Sequence, residues 1–416
     1  MATIVLIGTL DTKGIEYEYM RRRLRAEGCE VILVDAGVMG TPLAVPDIPR
    51  EDVANAAGET IADLATRGDR GLAVETMAAG AAKIAIDLFQ RGRLHGVLGL
   101  GGSGGSTVVT RAMRELPVGV PKFMVSTLAS GDTRPYVGAS DIAMMYSVVD
   151  IAGINRISER ILTNAAAGIA GMARAYEVFR PAPGGKPLIG ATMFGVTTPC
   201  VTAARHRLEG KDYEVLVFHA TGTGGQSMEA LVRGGYLAGV LDITTTELAD
   251  ELVGGVLSAG PERLEAAGAR GIPQVVSLGA LDMVNFGPAD TVPERFLGRL
   301  LYKHNPSVTL MRTTAAECAE LGRTIARKLN AARGPVAVFI PLRGVSAIST
   351  RGGPFYDPDA DRALIGGLKA NLRAGIEVRE WETDINDPDF AHAMADRLDE
   401  LIREAKTHAA PGGASR

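Results

Sequence analysis

The residues best suited to chemistry in this 416-residue chain stand just after short apolar runs, where a buried strand would turn into a helix. The densest such stretch is Gly101, Gly102, Ser103, Gly104, Gly105, Ser106 and Thr107. It follows His95–Leu100 and precedes a helical pattern carrying Val108, Val109, Met113 and Leu116. Glycines let the backbone approach an anion, the hydroxyls add donors, and a helix start offers unpaired N–H groups with partial positive charge. A phosphate or a carboxylate is the natural guest. The competing reading is a tight strand-to-helix turn needed only for packing. The stretch lacks the lysine of a GxxxxGK[ST] loop and is not a clean GxGxxG.

Other loops offer the same kind of chemistry. Thr9, Asp11, Thr12 and Lys13 follow the run Thr3–Gly8: Lys13 suits a phosphate and Asp11 a metal or a ribose hydroxyl, against the plainer reading of a cap and a solvent lysine. Ser130, Gly131, Asp132 and Thr133 close the hydroxyl-rich stretch Ser126–Thr133, which suits phosphate oxygens or a hydrated magnesium ion. In the second half a further glycine loop, Thr221–Gln226, invites the same anion argument. Asp242 stands at a strand end, while Thr244 and Glu247 have capping-box spacing. Asp282 and His304 supply further polar groups, His219 suits acid–base work, and Arg343 suits clamping a carboxylate or phosphate.

These loops need a scaffold that brings strand ends together. Strand TIVLIG (3–8), a helix over 15–27 and strand EVILVD (30–35) make a βαβ unit and hence a parallel sheet. A helical stripe over 74–91 and strands at 95–100 and 122–126 continue it, while 41–70 reads as an irregular excursion with one short helix. RPAPGGK (180–186) is a linker signature. After it the vocabulary repeats: Leu6–Thr9 is echoed by Leu188–Ala191, EGCEVILVDAG (27–37) by EGKDYEVLVFHATG (209–222), and Gly119–Ser126 by Gly271–Ser277. Two similar α/β lobes, 1–183 and 184–408, with a flexible tail at 409–416, are expected. Ligands in such sheets bind beyond the C-terminal strand ends or, here, in a cleft between the lobes.

Composition narrows the class. With 46% hydrophobic and 22% charged residues the chain is globular, long enough for two or three domains. Its 51 glycines show no three-residue period, which excludes a collagen-like rod. A net charge of −4 and 5% aromatics argue against a basic or stacking nucleic-acid surface. Cys29, Cys200 and Cys318 stand far apart, so neither a disulfide scaffold nor a zinc ribbon is expected. MATIVLIGTL has no basic targeting region and no apolar run reaches ~18 residues, which points to a cytoplasmic protein off the membrane. GxSxG, HExxH, EF-hand and kinase signatures are missing, so no enzyme class is assigned.

Together, Gly101–Thr107, VSTLASGD (125–132), SVVDIAGI (147–154), TMFGVTTPC (192–200), DITTTE (242–247) and GALDMVNFGP (279–288) resemble one family. It is the ATP-binding family typified by the N-terminal domain of the tomato mosaic virus resistance protein, whose bacterial members form an uncharacterised protein family. The resemblance spans both lobes and implies two Rossmann-like subdomains, dimerisation and ATP binding. It supports the nucleotide reading of the first-lobe loops without assigning a reaction. A homodimeric ATP-binding protein, with magnesium as a possible companion, is thus the leading expectation. The alternatives are an enzyme acting on a small organic or sugar acid in the interlobe cleft, through Asp242, Asp282, His219, His304 and Arg343, or a non-catalytic regulator.

Overall fold

Strands covered on both faces must be apolar along their whole length, and β1 (Thr3–Gly8) has all six residues buried. It lies in a parallel sheet with β2 (Glu30–Asp35), β3 (Gly96–Gly101), β4 (Lys122–Ser126) and β5 (Ala143–Tyr146), in the order β2-β1-β3-β4-β5. These elements form the first of two compact units, Met1–Ala182, in a computed structural model that describes residues 1–180 and 184–409. Val5 and Ile7 belong to a core with helices Arg50–Ala57, Arg70–Gln90 and Ser103–Glu115. Ile4 and Leu6 face the other way, into a core with helices Leu10–Ala26 and Arg156–Val178. Each such side chain contributes roughly 1.5–3 kcal/mol of burial.

The strand order reverses between β1 and β3, so a crevice opens at their C-terminal ends. β1 and β3 pair from Ile4–Gly96 to Ile7–Gly99 and then part. The buried Tyr17 hydroxyl fills the parting. It donates towards the Ile7 and Leu100 carbonyls (2.6 and 2.9 Å) and accepts from the Leu100 N–H (2.7 Å). Gly8 is required there, because a Cβ would lie 1.9 Å from the Tyr17 ring.

Residues 41–70 are more regular than their sequence suggests. They hold two short helices, Arg50–Ala57 and Ile61–Arg67, each closed by a left-handed glycine, Gly58 and Gly68. Asp69 then caps the next helix, which begins at Arg70 rather than Val74, by accepting the Leu72 N–H at 3.0 Å. Helices of seven or eight residues are too short for a stripe to show, and only their caps betray them.

The second unit, Pro183–Arg416, is built on β6 (Leu188–Met193), β7 (Glu214–His219), β8 (Leu237–Thr244), β9 (Gln274–Gly279), β10 (Met283–Phe286), β11 (Leu301–Asn305), β12 (Val308–Arg312), β13 (Val336–Pro341) and β14 (Glu377–Trp381). Six of them form a parallel sheet, β14-β13-β9-β8-β6-β7. Counted from β6, this repeats the second-first-third-fourth order of the first unit, and the echoed segments fall on matching strands: β1 with β6, β2 with β7, β4 with β9. The fold is therefore α/β, with two mostly parallel Rossmann-like sheets flanked by helices. An antiparallel sheet, β10-β12-β11, is inserted between β9 and β13. The sequence gives no warning of it, since its strands have only four or five residues and Lys303–Asn305 are exposed.

Among the described residues no helix is long and apolar enough to cross a membrane. The three cysteines are buried and unpaired. Apart from Ala409, which ends helix Pro388–Ala409, the expected tail lies outside the described residues.

Candidate functional site

At the β1–β3 parting lies a cavity of about 670 Å³. Thr9, Asp11, Thr12 and Lys13 reach it from the end of β1, and Gly101, Gly102, Ser103, Gly104 and Gly105 from the end of β3. Two of the glycines are there for packing: a Cβ on Gly101 would lie 2.9 Å from the Gly105 Cα, and one on Gly105 would lie 3.1 Å from the Leu100 carbonyl oxygen. Gly102 and Gly104 are different. The nearest atoms to a Cβ there are Thr127 Oγ1 at 3.5 Å and an Arg70 guanidinium nitrogen at 3.9 Å, so packing leaves room at both.

Helix Ser103–Glu115 starts at Gly102 with no side-chain cap, and its first N–H groups carry the helix's partial positive charge. Two cations line the same cavity. The Lys13 ammonium donates to the Ile151 carbonyl. The Arg70 guanidinium, which also lines the cavity, makes no hydrogen bond or ion pair among the described residues. Arg70 is the residue that sequence reasoning missed. Its signal was Gly68-Asp69-Arg70, a closing glycine followed by an N-cap, which puts the arginine on a first helical turn.

The β1 loop is organised otherwise. Its helix, Leu10–Ala26, is capped from within: Asp35 Oδ1 accepts the N–H groups of Leu10 (3.1 Å) and Gly37 (2.9 Å), while its other oxygen lies 3.3 Å from Arg50. Burial pushes the Asp35 carboxyl up, against those bonds and the Arg50 charge. Thr9 and Thr12 pair through their hydroxyls at 2.9 Å. Asp11 Oδ2 accepts from the Met39 N–H at 2.9 Å, and its Oδ1 is buried with no partner.

The remaining first-unit candidates stand apart from the cavity wall. The Ser106 hydroxyl is buried, 2.8 Å from that of Ser126, and Thr107 donates back to the Ser103 carbonyl at 2.9 Å. Ser130, Gly131, Asp132 and Thr133 form a loop beyond β4 in which only Thr133 is partly buried. Asp132 is paired with Arg134 at 2.8 Å, and those hydrogen bonds bring its carboxyl down to about 2.

In the second unit, no hydrogen bond or ion pair joins any two of Asp242, Asp282, His219, His304 and Arg343 among the described residues. Asp242 is buried, held by both terminal nitrogens of Arg263 (2.5 and 2.6 Å) and by the Thr192 hydroxyl (2.7 Å). Asp282 is fully buried, its carboxyl pushed up to about 6 by desolvation, and it accepts from the Ser346 hydroxyl at 2.7 Å. His219 is exposed at the end of β7, edge-on to Phe194. His304 is exposed on β11, and Arg343 is an exposed partner of Glu382 at 3.3 Å.

The second glycine loop already contains an anion. Glu247 Oε1 accepts the N–H groups of Gly222 (2.7 Å) and Gly225 (3.0 Å), and its Oε2 meets Arg263 Nε at 2.6 Å. The capping-box spacing of Thr244 and Glu247 is thus coincidental: helix Glu247–Val253 follows Thr246, and the glutamate reaches across to another loop. No group of three or more His, Cys, Asp or Glu side chains converges as metal ligands among the described residues.

Comparison with known proteins identifies the lineage. Residues 2–178 match the N-terminal domain of the uncharacterised protein family UPF0261, and residues 186–402 match its C-terminal domain. A UPF0261 protein of Clostridium tetani is 54% identical over 404 residues, covering 96% of this chain and 99% of its own. The ToMV resistance protein Tm-1(GCR237) of Solanum lycopersicum is 42% identical over 434 residues, 97% of this chain and 56% of that one. Among solved structures, a UDP-N-acetylglucosamine 2-epimerase from Rickettsia bellii aligns over 98% of this chain and 97% of its own at 10% identity, but its TM-score of 0.21 bears no functional argument. With both domains matched in order and a bacterial relative sharing more than half of the aligned residues, the chain belongs to the UPF0261 family.

Proposed function

We propose that the first unit binds a nucleotide, ATP by the family resemblance, with its phosphates against Gly102–Gly105. One observation carries this: the helix start at Gly102 is uncapped and opens on a cavity that Lys13 also lines and where the Arg70 guanidinium has no partner among the described residues. A helix start, a free guanidinium and an ammonium are complementary to phosphate oxygens. The volume falls within the ~300–1,000 Å³ of small-molecule sites. The unpartnered Asp11 Oδ1 is the group suited to a magnesium ion entering with the phosphates. We place it in the cytoplasm, as the sequence reading expects, and in the homodimeric state that the family resemblance implies.

Gly104→Trp tests the placement, because it pushes an indole to where the phosphates would lie without disturbing packed backbone. Calorimetry with ATP and magnesium should show at least about a hundredfold weaker binding, a loss near 2.7 kcal/mol. Equal affinity in wild type and variant would remove the site from this loop.

A further inference from the structure

We infer that Thr60–Gly68, a segment built on helix Ile61–Arg67, is a lid that closes against the guest of the first unit's crevice and lifts as one piece on Gly58 and Gly68. This rests on the nucleotide reading above and states how that site holds its ligand. Leu64 and Ala65 on the helix and Gly68 at its end line the cavity. The segment is nevertheless barely attached to the unit it covers. Leu64 is its one buried residue, Ile61 packs half-buried against the same core, and the other seven are exposed. Its side-chain hydrogen bonds all stay local. Thr60 meets the Asp63 N–H (3.1 Å) and carboxylate (2.6 Å), Thr66 the Ala62 carbonyl (2.8 Å), and Arg67 the Glu59 carboxylate (3.0 and 3.1 Å). Among the described residues no backbone hydrogen bond ties Thr60–Gly68 to any other part of the chain.

The preceding helix, Arg50–Ala57, is about as long and is fastened firmly. It buries Arg50, Val53 and Ala54. Arg50 donates to the Met39 carbonyl (3.2 Å) and lies 3.3 Å from Asp35, and Lys83 donates to the Ala56 carbonyl (2.9 Å). A region with few buried apolar contacts opens locally at a small part of the cost of global unfolding. Hinges are in place at both ends. Gly58 and Gly68 have φ of 88° and 64°, and a Cβ on either would meet nothing within 4 Å, so the turn and not the packing requires glycine there. A guest can favour closure only through contacts that the open lid lacks. The Gly58 N–H is satisfied by the Asn55 carbonyl at 2.9 Å, whereas the Gly68 N–H has no partner among the described residues. An acceptor on the guest that meets this N–H, together with apolar surface laid against Leu64, supplies those contacts.

Hydrogen exchange of the full-length protein, read by mass spectrometry with and without ATP and magnesium, tests the lid, and calorimetry on the same sample establishes binding. Without ligand the amides of Leu64–Arg67 should exchange at least about a hundredfold faster than those in the middle of helix Arg70–Gln90, because a helix of seven residues does not persist once Leu64 leaves the core. With ATP at about 100 Kd they should slow by about tenfold or more, and those of Arg50–Ala57 by less than about twofold. Ile61→Ala loosens the lid without altering the cavity wall and should speed the ligand-free exchange by about fivefold or more. The wild-type comparison decides the matter alone if that variant does not fold. Lid amides as slow as those of Arg70–Gln90 without ligand, unmoved by ATP that calorimetry shows to be bound, or indifferent to Ile61→Ala in a folded protein overturn the lid and leave the nucleotide site standing. Absence of ATP binding overturns both.

Discussion

Each unit carries a glycine-rich strand-to-helix loop, and the two loops have opposite contents. The loop after β3 opens on a cavity, and its helix starts without a side-chain cap. The loop after β7 holds Glu247, whose carboxylate takes two of its N–H groups and is locked in turn by Arg263. Gly225 is needed for that arrangement, since a Cβ would sit 2.2 Å from Glu247 Oε2. If the first loop takes the proposed phosphate, a glycine loop specifies only that an anion fits, and a residue elsewhere in the chain decides whether that anion is a guest or part of the protein. Leu10–Ala26 belongs with the second case, because Asp35 takes the place of a guest.

The strongest way to break the contrast is to remove the counter-ion. Arg263 is fully buried against Asp242, Glu247 and Glu229, and Arg263→Leu strands all three. Breaking a buried pair from one side costs about 3–5 kcal/mol, so urea unfolding should show a loss at least that large. A loss under about 1 kcal/mol would mean that the cluster needs no charge to stand.

Glu247→Ala sharpens the contrast further, because it frees the Gly222 and Gly225 amides. A loss of about 3 kcal/mol is expected, together with a new response to added phosphate: saturation at 100 Kd would return ~2.7 kcal/mol to the variant's second unit. Phosphate stabilising that unit equally in wild type and variant would show that the glutamate does not close the loop.

The smallest effect concerns a carboxylate without a counter-ion. Asp250, three residues beyond Glu247, is pushed up to about 7, chiefly by burial, against hydrogen bonds from Asn285 and Leu257. An unfolded aspartate titrates near ~3.9. The folded state therefore holds the proton more tightly, and this group's stabilisation is full below about pH 4 and declines as pH rises through about 7. Asp250→Asn should flatten that slope while changing stability by no more than about 1 kcal/mol at pH 5, because Asn285 Oδ1, buried and unpartnered, can accept the new amide after a flip. Thermal melts across pH 4–8 measure it, and an unchanged slope would assign the titration elsewhere.

Much of the scaffold was legible because buried parallel strands need unbroken apolar runs, as in TIVLIG and EVILVD. The short antiparallel strands were not, and of the two helices of 50–67 only one was expected, since four to eight residues show no period. At the first site the glycines and Lys13 were readable from local chemistry, whereas Arg70 enters from a helix more than 30 residues upstream of Gly104. Arg263 was invisible for a related reason. Its role depends on which three carboxylates surround it, and those come from separate elements.

The Tyr17 hydroxyl, tied to Ile7 and Leu100, has a consequence for kinetics. Burial pushes its ionisation upward, so the phenol keeps its proton and all three bonds at any physiological pH. The gap between the β1 and β3 loops is then fixed when the sheet folds, and the proposed nucleotide would meet a finished floor instead of ordering one on arrival. On that reading its encounter would not be slowed by rearrangement beneath it, and a molecule too thick for the gap would be refused by sterics, however well its charges match.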